Sequence, residues 1–364
     1  MAKYVCYIDM MERAGAQRVM SSMVTHLCAA GEQVVLVNDF IRDDRLPHYE
    51  VPEPVKRVYL REKRAGIPGI KHIQRIAALR KILKREKPDL LLSFLGRPNI
   101  IALIACLGLK TRLVVSVRND PNKEYGSDVL RKTAVKLLFH RANGCVFQTE
   151  DAAAYFPEAV RRKSAIIFNP VSEVFFRTAH RGNGEHIVAF GRLAPQKNHR
   201  LLIDAYAMLP AEYRKDKLII YGDGPLKDEL TMYCAEKGLA DSVLLPGNVP
   251  DVADRLARAK LFVLSSDYEG LPNALMEAMS VGVACIAADC PCGGPKTLIE
   301  HNVNGLLVPC KDARALCESM KRLLDSRDLR NALGSRAKRT AEAFRSEAVF
   351  KEWDAYLDTV IQQQ

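Results

Sequence analysis

The chain has 364 residues, 48% of them hydrophobic and 27% charged, with a formal net charge of +11. That length suggests two domains of ordinary size, and the composition excludes a disordered or low-complexity chain. No uninterrupted apolar run reaches the roughly 18–20 residues of a spanning helix, and the N-terminus lacks a signal-peptide plan, so a cytoplasmic chain is expected.

Short apolar runs alternate with amphipathic stretches from end to end. In the first half "YVCYI" precedes a helical 16–30, followed by "QVVLVN". After a long basic stretch come "DLLLSF", a helical 98–107, "RLVVSV", a helical 128–140, "GCVFQ" and "SAIIF". The plan then restarts. "HIVAFG" precedes a helical 199–209, "KLIIYG" a helical 225–237, and "SVLLPG" a helical 251–259. "LFVLSS" leads to a further helix, "ACIAAD" to a helical 295–301, and then "GLLVP". Strands alternating with helices predict parallel sheets covered on both faces, and two such runs predict two doubly wound Rossmann-like α/β domains. The expected boundaries are 1–175, 176–345 and a terminal helix 346–364 packing back on the first domain. Helices are expected over 327–344 and 347–361.

Charge is unevenly spread. Residues 1–180 hold 30 Lys and Arg against 18 Asp and Glu, whereas the remainder is near balance. The excess is concentrated in 56–87, with 12 basic and 2 acidic residues. Ile67, Ile70, Ile73, Ile76, Leu79, Ile82 and Leu83 recur there at helical spacing. A basic amphipathic helix is a signature of contact with an anionic membrane surface, although the same stripe also suits a domain core. No interleaved aromatics or nucleic-acid-binding motifs accompany the patch, so no nucleic acid is expected. The ten cysteines lie mostly in apolar runs, and the single C-x-C (Cys290, Cys292) lacks a matching pair for zinc. Free thiols in a reducing compartment are expected.

Ligands of doubly wound sheets bind beyond the carboxyl ends of the strands, so the runs following each strand are informative. After the first, Ala14-Gly15-Ala16 forms a small-residue turn whose free N–H groups suit a phosphate, a weak signal by itself. "RLAPQKN" places Arg192 and Lys197 at one strand end, a pair suited to a diphosphate, with Asn198 able to cap the next helix. "YGDGPLKDEL" reads as a structural glycine turn. "LPGNVPDV" offers backbone, at Gly247 and Val249, to a nucleobase edge. "SSDYEGLPNALMEAMSVG" carries Glu269 and Glu277 on either side of Pro272. With Pro272 expected in the first helical turn, the N–H groups near Gly270 and Leu271 face a crevice suited to anions and hydroxyls. Glu277 lies within an apolar helix and needs a partner, which a ribose diol would supply; an exposed helix face is the alternative.

These runs, "AGAQRV", "GRLAPQKN", "YGDGPLKDEL", "EGLPNALMEAM", "DCPCGGPKTLI" and "NGLLVP", resemble in order and spacing a family 4 retaining glycosyltransferase of the GT-B fold. Residues 91–121 resemble bacterial members that add hexosamines to polyprenyl-diphosphate-linked glycans, such as N-acetylgalactosaminyltransferases. The resemblance implies two domains facing each other across a cleft, a UDP-sugar donor and a lipid-linked saccharide acceptor. It places Arg192 and Lys197 on the donor diphosphate, Glu277 on the ribose, and Glu269 with Gly270, Leu271 and Asn273 at the donor sugar. Gly15 would approach the donor phosphates, and Arg118, Asn119 and Asp120 the sugar or acceptor. Two departures stand out: Ala14-Gly15 where relatives often have Gly-Gly, and "VRND" where several have a histidine. With no D-x-D and no evident carboxylate nucleophile, metal-independent front-face transfer at the inner membrane face is expected, with no cofactor. Rival readings are a GT-B nucleotide-sugar epimerase and a non-catalytic sugar-nucleotide or membrane-binding protein.

Overall fold

The computed structural model describes the chain except Arg13, residues 42–47 and 62–69, Ser127, Asn183 and residues 363–364. The chain divides into two compact units. Unit 1 comprises residues 1–170 and 347–364, and unit 2 residues 171–346.

Among its described residues unit 1 contains seven parallel strands: β1 (Lys3–Tyr7), β2 (Gln33–Phe40), β3 (Lys56–Arg61), β4 (Leu90–Phe94), β5 (Arg112–Ser116), β6 (Gly144–Phe147) and β7 (Ser164–Ile166). Their order is β3-β2-β1-β4-β5-β6-β7, so the winding reverses between β1 and β4. Unit 2 contains β8 (His186–Phe190), β9 (Leu218–Tyr221), β10 (Val243–Gly247), β11 (Ala259–Leu264), β12 (Cys285–Asp289) and β13 (Leu306–Pro309). Here the order is β10-β9-β8-β11-β12-β13, with the reversal between β8 and β11. The central strands are buried almost throughout, which is why they read as continuous apolar runs rather than alternating ones. The expected α/β class, two doubly wound parallel-sheet units, is what the chain adopts.

The basic stretch 56–87 is not one helix. Lys56–Arg61 forms the edge strand β3, residues 62–69, with Ile67 of the expected stripe, lie outside the described residues, and the helix runs Ile70–Glu86. In "KRVYLR" Val58 and Leu60 alternate with Arg57, Tyr59 and Arg61, a strand period, and a charged edge strand resists pairing with another chain. The helix divides its apolar stripe between two environments. Leu79, Ile82 and Leu83 are buried in the core, whereas Ile73 is 68% exposed. Glu86, at the helix end, meets Lys3, Lys56 and Arg85, and those hydrogen bonds hold its carboxyl down at about 2. The strongly amphipathic helix Ala313–Asp325 was not among the expected elements; its buried residues Leu316, Cys317, Met320 and Leu323 recur at helical spacing.

The last helix, Ser346–Gln362, packs into the core of unit 1. Trp353 is fully buried and stacks on Phe94 of β4. Phe350 stacks on His26, whose ring also meets Asp354 at 2.9 Å. The Tyr356 hydroxyl bonds backbone atoms of Cys145 and Lys163, tying the helix to the β6–β7 edge. The helix therefore completes unit 1, although most of that unit lies at the other end of the sequence.

Candidate active site

Unit 2 brings its chemistry together at the winding reversal. The segment after β8 carries Arg192 and Lys197, and the segment after β11 carries Glu269. The two are stitched by backbone and side-chain bonds. The Asp267 N–H donates to the Gln196 carbonyl at 2.8 Å, the Gln196 amide to the Tyr268 carbonyl at 2.9 Å, and the Asn198 amide to Asp267 at 2.7 Å. Asn198 adopts a left-handed conformation (φ 45°) while its side chain caps the helix His199–Ala207 through the Leu201 N–H. A short polar side chain tolerates that conformation and satisfies an otherwise orphaned N–H.

This scaffold places Lys197 Nζ 2.5 Å from Glu269 Oε1. The same oxygen accepts from the Ser266 hydroxyl at 2.6 Å. Glu269 is buried and Lys197 mostly so, which makes this a partly desolvated, charge-assisted pair. Arg192 is on the same segment with its side chain exposed and has no ion-pair partner among the described residues. Its charge is therefore uncompensated beside a pair that is internally neutral.

The loop preceding the helix Asn273–Val281 is held from the other side. The Glu269 N–H donates to the Pro291 carbonyl at 2.6 Å, and the Cys292 N–H to the Glu269 carbonyl at 3.0 Å. A Cβ on Gly294 would lie 1.8 Å from the Gly270 carbonyl, so only glycine allows the "CGGP" turn to close on the "EGLP" turn. Gly222 has φ 138°, and a Cβ there would meet the Gly191 carbonyl at 2.0 Å. The glycines of "YGDGPL" thus seat one strand-end loop on another. Pro272 stands at the N-cap rather than in the first turn, and the helix begins at Asn273. Its ring still precludes helix before it, which keeps Glu269 in the loop. Glu277 is 6% exposed and sits in the second turn, so the exposed-face alternative does not hold. Gly270 and Leu271 are buried at the helix mouth, while Asn273 is half-buried. Gly247 and Val249 lie at the end of β10, two strands from β8, roughly 10 Å at about 4.8 Å per strand.

His199 was not singled out from the sequence. It is buried beneath the Arg192–Lys197 segment. Burial chiefly, and Lys197 next, push its imidazole down to about 4, offset in part by the backbone of Arg192 and Gly191. A folded-state value below the ordinary 6.5 means that stability from the neutral ring is complete above pH 6.5 and is lost as pH falls towards 4. At about 1.4 kcal/mol per unit the loss approaches roughly 3 kcal/mol. His199→Gln is expected to flatten the decline of Tm between pH 6.5 and 4; an unchanged decline would show that the ring is not titrating there.

Unit 1 holds the remaining candidates. Gly15 opens the helix Gly15–Ala29 on an exposed turn, and Ala14 supplies no side-chain cap. The first-turn N–H groups are therefore left to a ligand or solvent. Arg118 is buried after β5. It donates to Ser116 at 3.2 Å and to Asn169, and lies 4.7 Å over the Phe94 ring. Nearby Glu124 is pushed up to about 8 by burial, with Arg118 pulling the other way. Asp120 caps the short helix Pro121–Tyr125 through the Asn122 N–H, and Asn119 in turn accepts from the Asp120 N–H. These three side chains thus shape the local structure after β5.

Two doubly wound parallel-sheet units, one carrying a lysine–carboxylate pair at its winding reversal, are the architecture of the GT-B fold. The second unit matches the family model "Glycosyl transferases group 1" over residues 171–340, and the first matches "Glycosyl transferase 4-like domain" over residues 14–171. The chain belongs to this family of glycosyltransferases, and it is an enzyme of that class. It is 30% identical, over 98% of its own length and all of the relative's, to the N-acetylgalactosamine-N,N'-diacetylbacillosaminyl-diphospho-undecaprenol 4-alpha-N-acetylgalactosaminyltransferase of Campylobacter jejuni. A second Campylobacter jejuni relative, an alpha-1,4-N-acetyl-D-galactosaminyltransferase acting on GalNAc-alpha-(1->4)-GalNAc-alpha-(1->3)-diNAcBac-PP-undecaprenol, is 28% identical over 97% of each chain. The fold matches Anabaena Alr3699/HepE solved with UDP and glucose, with a TM-score of 0.82, 17% identity, and 98% and 100% of the two chains covered. It also matches sucrose-phosphate synthase of Thermosynechococcus elongatus, with a TM-score of 0.84, 18% identity, and 99% and 100% covered. Among the described residues no helix is long and apolar enough to cross a membrane, and no cluster of three or more His, Cys, Asp or Glu is placed to hold a metal.

Proposed function

We propose that this enzyme transfers N-acetylgalactosamine, with retention, from UDP-N-acetylgalactosamine to a polyprenyl-diphosphate-linked saccharide. The observation that carries this reading is full-length similarity to two transferases named for that donor sugar and that carrier class. Unit 2 takes the donor. Lys197 and the unpaired Arg192 receive the diphosphate and stabilise the charge that develops as the glycosidic bond breaks. Glu277 takes the ribose hydroxyls, and Glu269, with the backbone of Gly270 and Leu271 and the side chain of Asn273, takes the sugar. The backbone at Gly247 and Val249 meets the base. On unit 1 Gly15 approaches the phosphates, and the loop of Arg118, Asn119 and Asp120 meets the acceptor. Attack occurs on the face that the diphosphate leaves, and the departing phosphate oxygen takes the acceptor proton, so no metal or other cofactor is required.

The acceptor's polyprenyl chain places the reaction at a membrane, and the reading extends to its inner face. The basic residues of 56–87 support contact with anionic lipid there, together with exposed Ile73 and the exposed Lys81, Lys84 and Arg85. The test is one incubation series. Candidate UDP-sugars are offered with an undecaprenyl-diphosphate disaccharide in phosphatidylglycerol vesicles, and products are read by mass spectrometry. An acceptor mass increased by one N-acetylhexosamine, undiminished by EDTA and released with UDP, is expected. Free epimerised sugar nucleotide, or UDP binding without turnover, would overturn the reading. Equal product and equal protein flotation with neutral vesicles would overturn the lipid contact alone.

A further inference from the structure

A second charged constellation, outside the residues discussed so far, lies at the winding reversal of unit 1. Asp9 follows β1, Asp39 sits near the end of β2, and Arg97 opens the helix Gly96–Ala105 after β4. Arg75, from the helix Ile70–Glu86, completes it. Asp39 is fully buried. It accepts from the Tyr7 hydroxyl at 2.7 Å and lies 3.3 Å from buried Arg75. The Arg97 guanidinium spans both carboxylates, 3.5 Å from Asp9 and 3.6 Å from Asp39. Asp9 Oδ1 is pinned by the Met10 N–H at 2.9 Å and the Gln17 amide at 3.3 Å, while Oδ2 meets, among the described residues, the long approach of Arg97.

The exposures separate foundation from working surface. Asp39 and Arg75 are closed to solvent, whereas the side chain of Asp9 is 18% and that of Arg97 46% exposed. The two carboxylates and two guanidinium groups sum to zero charge, which disfavours an anion such as a diphosphate. A rigid carboxylate oxygen with acceptor capacity to spare, beside a guanidinium with free N–H groups, instead matches a neutral polyol. A saccharide supplies hydroxyl donors to the first and ring or amide oxygens to the second. Burial chiefly raises the Asp9 carboxyl above its ordinary value, with the Met10 N–H, Arg97 and Gln17 opposing. The position is also where a doubly wound sheet takes its ligand.

We propose that Asp9 and Arg97 bind the saccharide portion of the acceptor, Asp9 accepting a hydrogen bond from a hydroxyl and Arg97 donating to a ring or N-acetyl oxygen. Asp39 and Arg75 act as positioning residues that hold Arg97 in place. This rests on the acceptor being a saccharide, as read above. Asp9→Asn and Arg97→Gln are assayed for initial rates against the undecaprenyl-diphosphate disaccharide and UDP-N-acetylgalactosamine separately. The acceptor KM is expected to rise at least ten-fold in both, with the donor KM and UDP affinity within two-fold of the parent. Arg97→Gln, at an exposed position, guards against a folding defect at Asp9. Independently of turnover, saturation-transfer NMR with methyl α-N-acetylgalactosaminide reads glycoside binding, and the signal is expected to fall in both variants. Unchanged acceptor KM, or an unchanged NMR signal, in both variants overturns the assignment. A parent enzyme that binds the methyl glycoside through these residues but transfers no N-acetylgalactosamine overturns the donor reading instead.

Discussion

Lys197→Ala is expected to slow transfer about 10³-fold, with a much smaller change in acceptor KM, because in the proposed mechanism it removes a cation acting on charge that develops at the departing diphosphate. The same substitution strips Glu269 of its ion-pair partner and leaves a buried carboxylate with the Ser266 hydroxyl as its remaining side-chain donor. Removing one partner of a buried pair typically costs about 3–5 kcal/mol. Loss of activity alone is therefore ambiguous. The pair Lys197→Met with Glu269→Gln separates the two effects, since it removes both charges together. Thermal unfolding of the double variant is expected to return towards the parent while turnover stays depressed. Recovery of turnover along with Tm would reduce Lys197 to a structural ion-pair partner and move the leaving-group role to Arg192.

Glu277→Ala is expected to weaken UDP binding about 10²-fold by calorimetry. A ribose diol gives two hydrogen bonds to one carboxylate, each worth about 1.5–3 kcal/mol when charge-assisted, and part of that is regained by water. Glu277→Gln should fall between the two, because an amide keeps one acceptor oxygen but loses the charge. The specific readout is discrimination between ligands. The parent should favour UDP over its 2′-deoxy and 3′-deoxy analogues, and both variants should lose most of that preference. A Glu277→Gln protein that discriminates as the parent does would show that the carboxylate serves the packing of its own helix.

Much of the fold was legible because parallel sheets covered on both faces demand continuous apolar strands. "DLLLSF", "KLIIYG" and "LFVLSS" leave little choice of structure. The edge was harder. "KRVYLR" carries the alternation of a strand but adjoins a basic helix, and its charge hid it within the longer helical pattern. The helix Ala313–Asp325 was missed despite clear amphipathicity, since no binding motif drew attention to it. Pro272 was misplaced by one position, which did not alter the separation it imposes between Glu269 and Glu277.

The candidate site divides along similar lines. Arg192, Lys197, Glu269 and Glu277 are marked by residue type and by their places after strands or in the helix that follows. That Lys197 and Glu269 touch is a different kind of fact, since 72 residues separate them. The same holds for the Asp9–Asp39–Arg75–Arg97 network, in which no two members are close in sequence. Its residues carry no mark in the sequence, and only setting β1, β2 and β4 side by side brings them together.

By itself the sequence determined the fold class, the repeat of the doubly wound plan and the family, because each rests on local periodicity or on short runs whose order survives without coordinates. Tertiary structure alone decided which charges are paired, which are buried and which stay open to a ligand. Those properties depend on distances and desolvation between segments remote along the chain. Glu277 lost its exposed-face alternative that way, and Asp9 emerged as a candidate ligand contact.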